Sequence, residues 1–164
     1  VVNRSGVGTA LPLPRAPFNS LRLSPDGTRL ALEVTSGAND GGDIYVLAMG
    51  DSVSVRISRQ GINTYPVWSR DGGRVAYSRL LDGERDLAWQ PADGSGRAET
   101  LLRRPGDQFE LEFAPDGQLI VREGNATGGV AALDIVSVAL GGDSARPFAA
   151  DPKAAERAHR LSPD

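Results

Sequence analysis

The sequence is short of the residues that most active sites and membrane segments need. It has no cysteine, one histidine (His159) and a single lysine (Lys153) among its 18 basic residues. Without cysteine it can form neither disulfides nor thiolate nucleophiles. No apolar run approaches the roughly 18 residues of a membrane span. The net charge of -3 indicates no strong field, so we expect no contact of this segment with nucleic acid or a membrane.

Motifs that carry chemistry are missing as well. The sequence has no cluster of histidine and cysteine, no Walker loop, no dinucleotide-binding fingerprint and no kinase motif. We therefore predict no catalytic residue, no metal and no cofactor in this chain.

Glycine and proline are plentiful, with 20 Gly and 11 Pro in 164 residues. Turn formers at this frequency favour many short elements over a few long helices. The chain also repeats itself: "RLSPDGTRLALEV" (22–34) is followed by "VWSRDGGRVAYSR" (67–79) and "EFAPDGQLIVRE" (112–123), and "RLSPD" returns at 160–164. The repeated aspartates, spaced by 45, 45 and 48 residues, are Asp26, Asp71, Asp116 and Asp164.

Each repeat predicts four strands. Apolar residues five and three positions before the aspartate alternate as in a strand with one apolar face. The Asp-Gly step predicts a hairpin turn and a second strand after it. A third strand begins at a second recurring aspartate, and a fourth is predicted at 53–58, 97–103 and 145–149. The residues of the first alternation are Leu21 and Leu23, Pro66 and Trp68, and Leu111 and Phe113.

A period of about 45 residues with four strands is typical of a β-propeller blade. We predict an all-β fold, a β-propeller segment of four-stranded antiparallel blades. Three full blades span 15–58, 59–104 and 105–150. Residues 1–14 are predicted to end a preceding blade, and residues 151–164 to begin a further one.

The residue pattern of the repeat resembles that of a known family. "SPDG" followed by a "DIYV" strand resembles the WD-like propeller repeat of TolB-type proteins. "PVWSRDGGRVAYS" (66–78) and "LAWQPADGSGRAETLL" (87–102) are most similar to the propeller that follows bacterial serine/threonine kinase domains. Arg70 departs from the pattern, which has proline there, and the third unit lacks one residue after Gly117. The resemblance implies a bacterial sensory or docking module, and a periplasmic location.

Several motifs could suggest a site, but the repeat explains them as turns. "GDS" occurs at 50–52 and 142–144, at equivalent turns, so we interpret neither serine as a nucleophile. The repeated aspartates lie a blade apart and cannot share a proton. "NDGGD" (39–43) lacks the spacing and closing glutamate of a calcium loop, so we interpret it as a hairpin loop.

Aromatic and polar residues give the remaining candidates. Trp68 and Tyr77 stand where the sister units have apolar core residues, whereas Tyr65 and Trp89 could contact a ligand. His159 aligns with the core-facing column of Leu21. The loops that lead into each first strand vary between units, as a binding rim would. The predicted ligand-binding residues at this rim are Asn63, Tyr65, Gln108 and Arg157.

The sequence therefore favours a non-catalytic propeller that binds a protein, a peptide or a small ligand. A second copy of the chain is a further predicted partner, because it could complete the ring as a homo-oligomer. Two alternatives stay open: the substrate-gating propeller of a prolyl-oligopeptidase-like serine hydrolase, and a TolB-like envelope interaction protein.

Overall fold

The computed structural model describes residues 4–8, 10, 16–35, 42–51, 53–124, 133–142 and 144–149. Within these ranges the chain forms twelve strands in three four-stranded sheets. Every sheet is antiparallel, with its strands in sequence order. The prediction of an all-β chain with four-stranded antiparallel units is confirmed.

We call the three sheets blades 1, 2 and 3. Blade 1 contains β1 (Phe18–Leu23), β2 (Arg29–Thr35), β3 (Gly42–Ala48) and β4 (Ser54–Arg56). Blade 2 contains β5 (Ile62–Trp68), β6 (Arg74–Leu81), β7 (Glu84–Pro91) and β8 (Glu99–Leu102). Blade 3 contains β9 (Gln108–Phe113), β10 (Gln118–Gly124), β11 (Leu133–Ala139) and β12 (Ala145–Ala149).

The repeated aspartates are turn residues, as predicted. The Asp26 carboxylate accepts bonds from the Ser24 hydroxyl at 2.6 Å and the Thr28 backbone N–H at 2.9 Å. Asp71 repeats this pattern with Ser69 and Gly73, and the Asp116 carboxylate accepts from the Gln118 N–H. These bonds fix the hairpin between the first and second strands of each blade.

The core lies between the blades. One buried cluster joins blades 1 and 2, and a second joins blades 2 and 3. Such stacking explains the alternation in the sequence, because each sheet packs against a neighbour on its apolar face. The first cluster contains Ala31, Ile44, Val46, Ile57, Trp68, Val75, Tyr77, Ala88 and Ala92.

Polar contacts also cross between blades. The Trp68 indole N–H donates to the Arg22 carbonyl at 2.9 Å, and the Arg29 guanidinium lies over the Trp68 ring at 4.8 Å. Arg29 also donates to the carbonyl of Gly72 at 2.7 Å. Arg70, the departure from the repeat pattern, donates to the Pro115 carbonyl of blade 3. The hairpins of blades 1 and 2 are thereby each tied to the turn of the following blade.

The expectation that Leu21 and Leu23 face a core is wrong for blade 1. Their side chains are 56% and 55% exposed, whereas Trp68 and Leu111, which follow the same alternation in blades 2 and 3, are 6% and 2% exposed. Trp68 and Leu111 each pack against the preceding blade. The described residues place no such blade against β1, so its alternating leucines meet solvent.

Some predictions concern residues outside the described ranges. They include most of the partial blade at 1–14, all of the one at 151–164, and His159. Most of the "NDGGD" loop and Ser52 of the first "GDS" lie outside them too.

Candidate ligand-binding site

Two of the predicted rim residues, Asn63 and Gln108, are buried at the starts of β5 and β9. The Asn63 amide donates to the carbonyls of Gln60 and Gly61, both at 3.1 Å. The Gln108 amide, at the equivalent position in blade 3, donates to the carbonyls of Arg104 and Gly106 at 3.1 and 2.8 Å. Both side chains are fully buried, and both hold the shape of the connection between blades.

Tyr65 lies beside a buried carboxylate that the sequence analysis missed. Its backbone has φ of 56°, in a bulge of β5, and its N–H donates to Glu33 at 3.0 Å. Glu33 also accepts bonds from Asn19 at 2.7 Å and Ser20 at 3.0 Å, and it is 1% exposed. This carboxylate joins blade 1 to blade 2 near the rim. Arg157, the fourth predicted rim residue, lies outside the described residues.

The aromatic residues divide as follows. Trp68 and Tyr77 are 6% and 1% exposed in the core between blades 1 and 2, which confirms their predicted packing role. Trp89 is half-buried against the second core, and the Arg74 guanidinium lies 4.5 Å from its ring centroid. One face of Trp89 is therefore covered by a cation.

The structure brings another set of residues together at a cavity of about 450 Å³, beside the core shared by blades 1 and 2. The wall combines the connection from β4 to β5, strands β6 and β7, and the loop from β7 to β8. We call it the inter-blade cavity. It is lined by Ile57, Arg59, Gln60, Tyr77, Arg79, Gln90, Gly96, Arg97 and Ala98.

A chain of hydrogen bonds forms the floor of the inter-blade cavity. The Tyr77 hydroxyl donates to Gln90 Oε1 at 3.1 Å, and Gln90 Nε2 donates to the carbonyl of Ile57. All three residues are nearly fully buried. Burial raises the pKa of Tyr77 to about 12, against the opposing effect of the Arg79 charge. The hydroxyl is therefore protonated at neutral pH and acts as a donor.

Two loops shape the mouth. Gly61 has φ of 73°, and an added Cβ would overlap the carbonyl oxygen of Leu80. This close approach holds the β4–β5 connection against β6 and places exposed Arg59 and Gln60 at the cavity. In the β7–β8 loop, hydrogen bonds from the Ser95 side chain and from its backbone N–H, the latter at 2.8 Å, lower the pKa of Asp93. The bend places Arg97 at the mouth.

The repeat contains a signal for this site. Gln90 occupies the third-strand position that Leu47 and Val138 hold in blades 1 and 3, where both are fully buried. A polar side chain at a buried apolar column needs partners of its own. Gln90 was therefore recognisable in the sequence as an exception, although its partners Tyr77 and Ile57 were not.

The described residues hold no group of three or more His, Cys, Asp or Glu side chains that could bind a metal ion. In the same part of the chain, no helix has the length and apolar character needed to cross a membrane.

Comparisons of sequence identify no relative: no protein-family model and no curated protein matches the chain. Solved structures do resemble it. A TolB-type protein from Agrobacterium tumefaciens aligns with 80% of this chain at a TM-score of 0.69 and 18% identity. TolB from Acinetobacter baumannii aligns with 79% at a TM-score of 0.67 and 14% identity. A prolyl endopeptidase aligns with 83% at a TM-score of 0.64 and 14% identity.

These similarities show a shared fold. The chain spans 48% of the Agrobacterium protein, 32% of the Acinetobacter TolB and 22% of the prolyl endopeptidase. The three sheets thus match propeller blades of TolB-like structures, which confirms the predicted fold class. The chain is a β-propeller fragment that resembles the propellers of TolB and of a prolyl endopeptidase.

Proposed function

We propose that this chain is a non-catalytic part of a larger propeller protein, and that a protein, peptide or small ligand binds at the inter-blade cavity. Its volume of about 450 Å³ lies within the usual range of ligand pockets. The observation that carries the proposal is the buried Tyr77–Gln90 pair on the floor. Equivalent positions in the sister blades are apolar, so packing alone does not require polar groups there.

The chemistry of the lining supports binding. The nine lining residues supply three guanidiniums, two amides and one phenol, and the pKa of about 12 keeps the Tyr77 phenol protonated. A general base must be unprotonated near neutral pH, and a hydroxyl nucleophile needs such a base beside it. The lining residues include no carboxylate and no imidazole. The groups present instead donate hydrogen bonds, which suits recognition.

The role of the whole protein is a further part of this proposal. The resemblance to the propeller that follows bacterial kinase domains supports a sensory or docking module. Structural similarity to a prolyl endopeptidase favours a second candidate, a propeller that gates access to a serine hydrolase domain. Similarity to TolB is the basis for the third candidate, an envelope interaction protein.

The full-length open reading frame distinguishes these roles. A kinase signature with a membrane span upstream supports the first role. A Gly-x-Ser-x-Gly segment downstream supports the hydrolase gate, and a signal peptide upstream supports the envelope protein.

Binding at the cavity is tested with a panel of short peptides and small carboxylates, phosphates, amines and neutral compounds. Saturation-transfer NMR on the 164-residue chain detects which compounds bind. We expect at least one class to bind, and Gln60→Trp, at the exposed mouth, to abolish the signal. Asp51→Trp, at an exposed turn after β3, is the matched control and should preserve binding. If no class binds, or if binding survives the blocked mouth, the proposed site is wrong.

A further inference from the structure

The inter-blade cavity carries a local charge opposite to that of the chain. The chain has 21 acidic and 18 basic residues, for a net charge of -3. The nine lining residues nevertheless include three arginines, Arg59, Arg79 and Arg97, and no aspartate or glutamate. Positive charges that converge on one concave surface raise the local concentration of anions.

Five arginines in the described part of the chain are neutralised by carboxylates. Five ion pairs, at 2.6 to 3.3 Å, join arginine to aspartate or glutamate in the described ranges. None of these pairs includes an arginine of the cavity. The paired arginines are Arg56, Arg74, Arg103, Arg104 and Arg122.

Arg79 is the most enclosed of the three cavity arginines. It is half-buried on β6, whereas Arg59 and Arg97 are exposed at the mouth. Its Nε is buried and has no hydrogen-bond acceptor among the described atoms. Its charge is also close enough to Tyr77 to oppose the upward shift of that pKa. Among the described residues, no ion pair joins Arg79 to a carboxylate, although Asp86, which pairs with Arg103, lies opposite it on β7. A partly desolvated guanidinium gains more from an anion than a fully hydrated one does.

We propose that the inter-blade cavity binds a small ligand through carboxylate or phosphate oxygens. The guanidiniums of Arg59, Arg79 and Arg97 donate to the anionic group, since a planar guanidinium matches both kinds of oxyanion. Ala98, half-buried against the core between blades 1 and 2, gives the carbon part of the ligand an apolar surface. This inference rests on the proposed function, because it names the ligand class of the same cavity.

The test uses probes that share a phenyl ring and differ in the charged group attached to it. Benzoate, phenyl phosphate and neutral benzamide are titrated into the 164-residue chain by calorimetry. A comparison of the affinities for benzoate and phenyl phosphate shows whether the cavity prefers a carboxylate or a phosphate group. Loss of a charge-assisted hydrogen bond corresponds to about 10- to 100-fold in affinity. We therefore expect benzamide to bind about 10- to 100-fold more weakly than the better anion.

Variants locate the binding to the arginines. Arg79→Gln should lower the affinity for the tighter-binding anion about 10- to 100-fold. The double variant Arg59→Gln, Arg97→Gln should lower it by a similar factor and leave the melting temperature unchanged, because both positions are exposed. The control is Arg146→Gln, at an exposed position of β12 in blade 3. It also removes one positive charge, but outside the cavity, and should leave the affinity unchanged.

The outcomes separate this inference from the proposed function. If benzamide binds as tightly as the anions and Gln60→Trp still abolishes binding, the cavity is a site but its anion preference is refuted. Equal losses for Arg146→Gln and Arg79→Gln would likewise refute it, because overall charge would then explain the binding. Absence of binding by every compound, in this titration and in the wider panel, would contradict both proposals.

Discussion

Truncation of Trp68 is the strongest test of how blades 1 and 2 pack. Trp68 ends β5 of blade 2, yet its indole N–H donates to the Arg22 carbonyl of blade 1 at 2.9 Å. Its ring is 6% exposed and packs with Ile44, Val46 and Ile57 of the same core. Trp68→Ala therefore removes an anchor between two blades.

The expected magnitude follows from burial. A large aromatic side chain removes roughly 150–250 Å² from water, which corresponds to about 4–6 kcal/mol at roughly 25 cal/mol per Å². Alanine keeps the Cβ, and measured losses for such truncations are about 3–5 kcal/mol. We expect Trp68→Ala to lower the free energy of unfolding by about 3–5 kcal/mol. Trp68→Phe keeps a ring but loses the bond to Arg22, and should cost about 1–2 kcal/mol.

The matched control is Leu23→Ala. Leu23 and Trp68 occupy the same position of the repeat, three residues before the turn aspartate, but Leu23 is 55% exposed. At protein concentrations where the chain is monomeric, its truncation should change stability by less than about 0.5 kcal/mol. Urea unfolding followed by circular dichroism measures all three variants. If Trp68→Ala unfolds like the parent, or if Leu23→Ala costs as much, the proposed packing of the blades is wrong.

Three further predictions concern the loop, the turn and the exposed sheet face. Gly61→Ala should destabilise the chain by more than the roughly 1–2 kcal/mol of left-handed backbone strain, because the added Cβ also meets the Leu80 carbonyl. The control is Gly83→Ala, since Gly83 has φ of 86° and open space around it. In the same urea assay this control should show the cost of the strain alone. Hydrogen bonds from Ser24 and Thr28 lower the pKa of Asp26 from 3.8 to about 2. Its contribution to stability is therefore present above pH 4 and lost as pH falls towards 2, and the difference between Asp26→Asn and the parent should disappear over that window in acid melting curves. We propose that a second copy of the chain covers the exposed Leu21 and Leu23. Light scattering should then give a mass above the 17.3 kDa of one chain, and the double variant Leu21→Ser, Leu23→Ser should lower that mass. A parent chain that is monomeric at all concentrations would exclude this association.

Strands and turns could be predicted because they depend on local pattern. Asp26 and Asp71 accept hydrogen bonds from residues two positions away. A repeated Ser-x-Asp-Gly motif is therefore enough to predict these turns. Burial of Leu21, in contrast, depends on whether another blade packs against β1. The alternation of apolar and polar residues along a strand does not indicate whether such a neighbour is present. The fold was therefore predictable, while the exposed face was visible only in the structure.

The inter-blade cavity needed information from distant positions. Its mouth combines Arg59 with Arg97, which are far apart in sequence, and its floor needs Tyr77 on one strand to meet Gln90 on the next. The rim prediction named other residues because it followed the loops that lead into each first strand. The buried Glu33 was missed for a related reason: its partner Tyr65 belongs to the next blade.

Amide-resolved NMR tests the central claim, that loops from two parts of the chain form one binding cavity. Benzoate and phenyl phosphate are titrated into the labelled chain, and backbone amide shifts are followed residue by residue. The account predicts that amides at 59–61 and at 96–98 shift along one binding curve with the same Kd, while Gly117 at the turn of blade 3 stays unchanged. Shifts confined to one loop, or two loops with different Kd values, would contradict it.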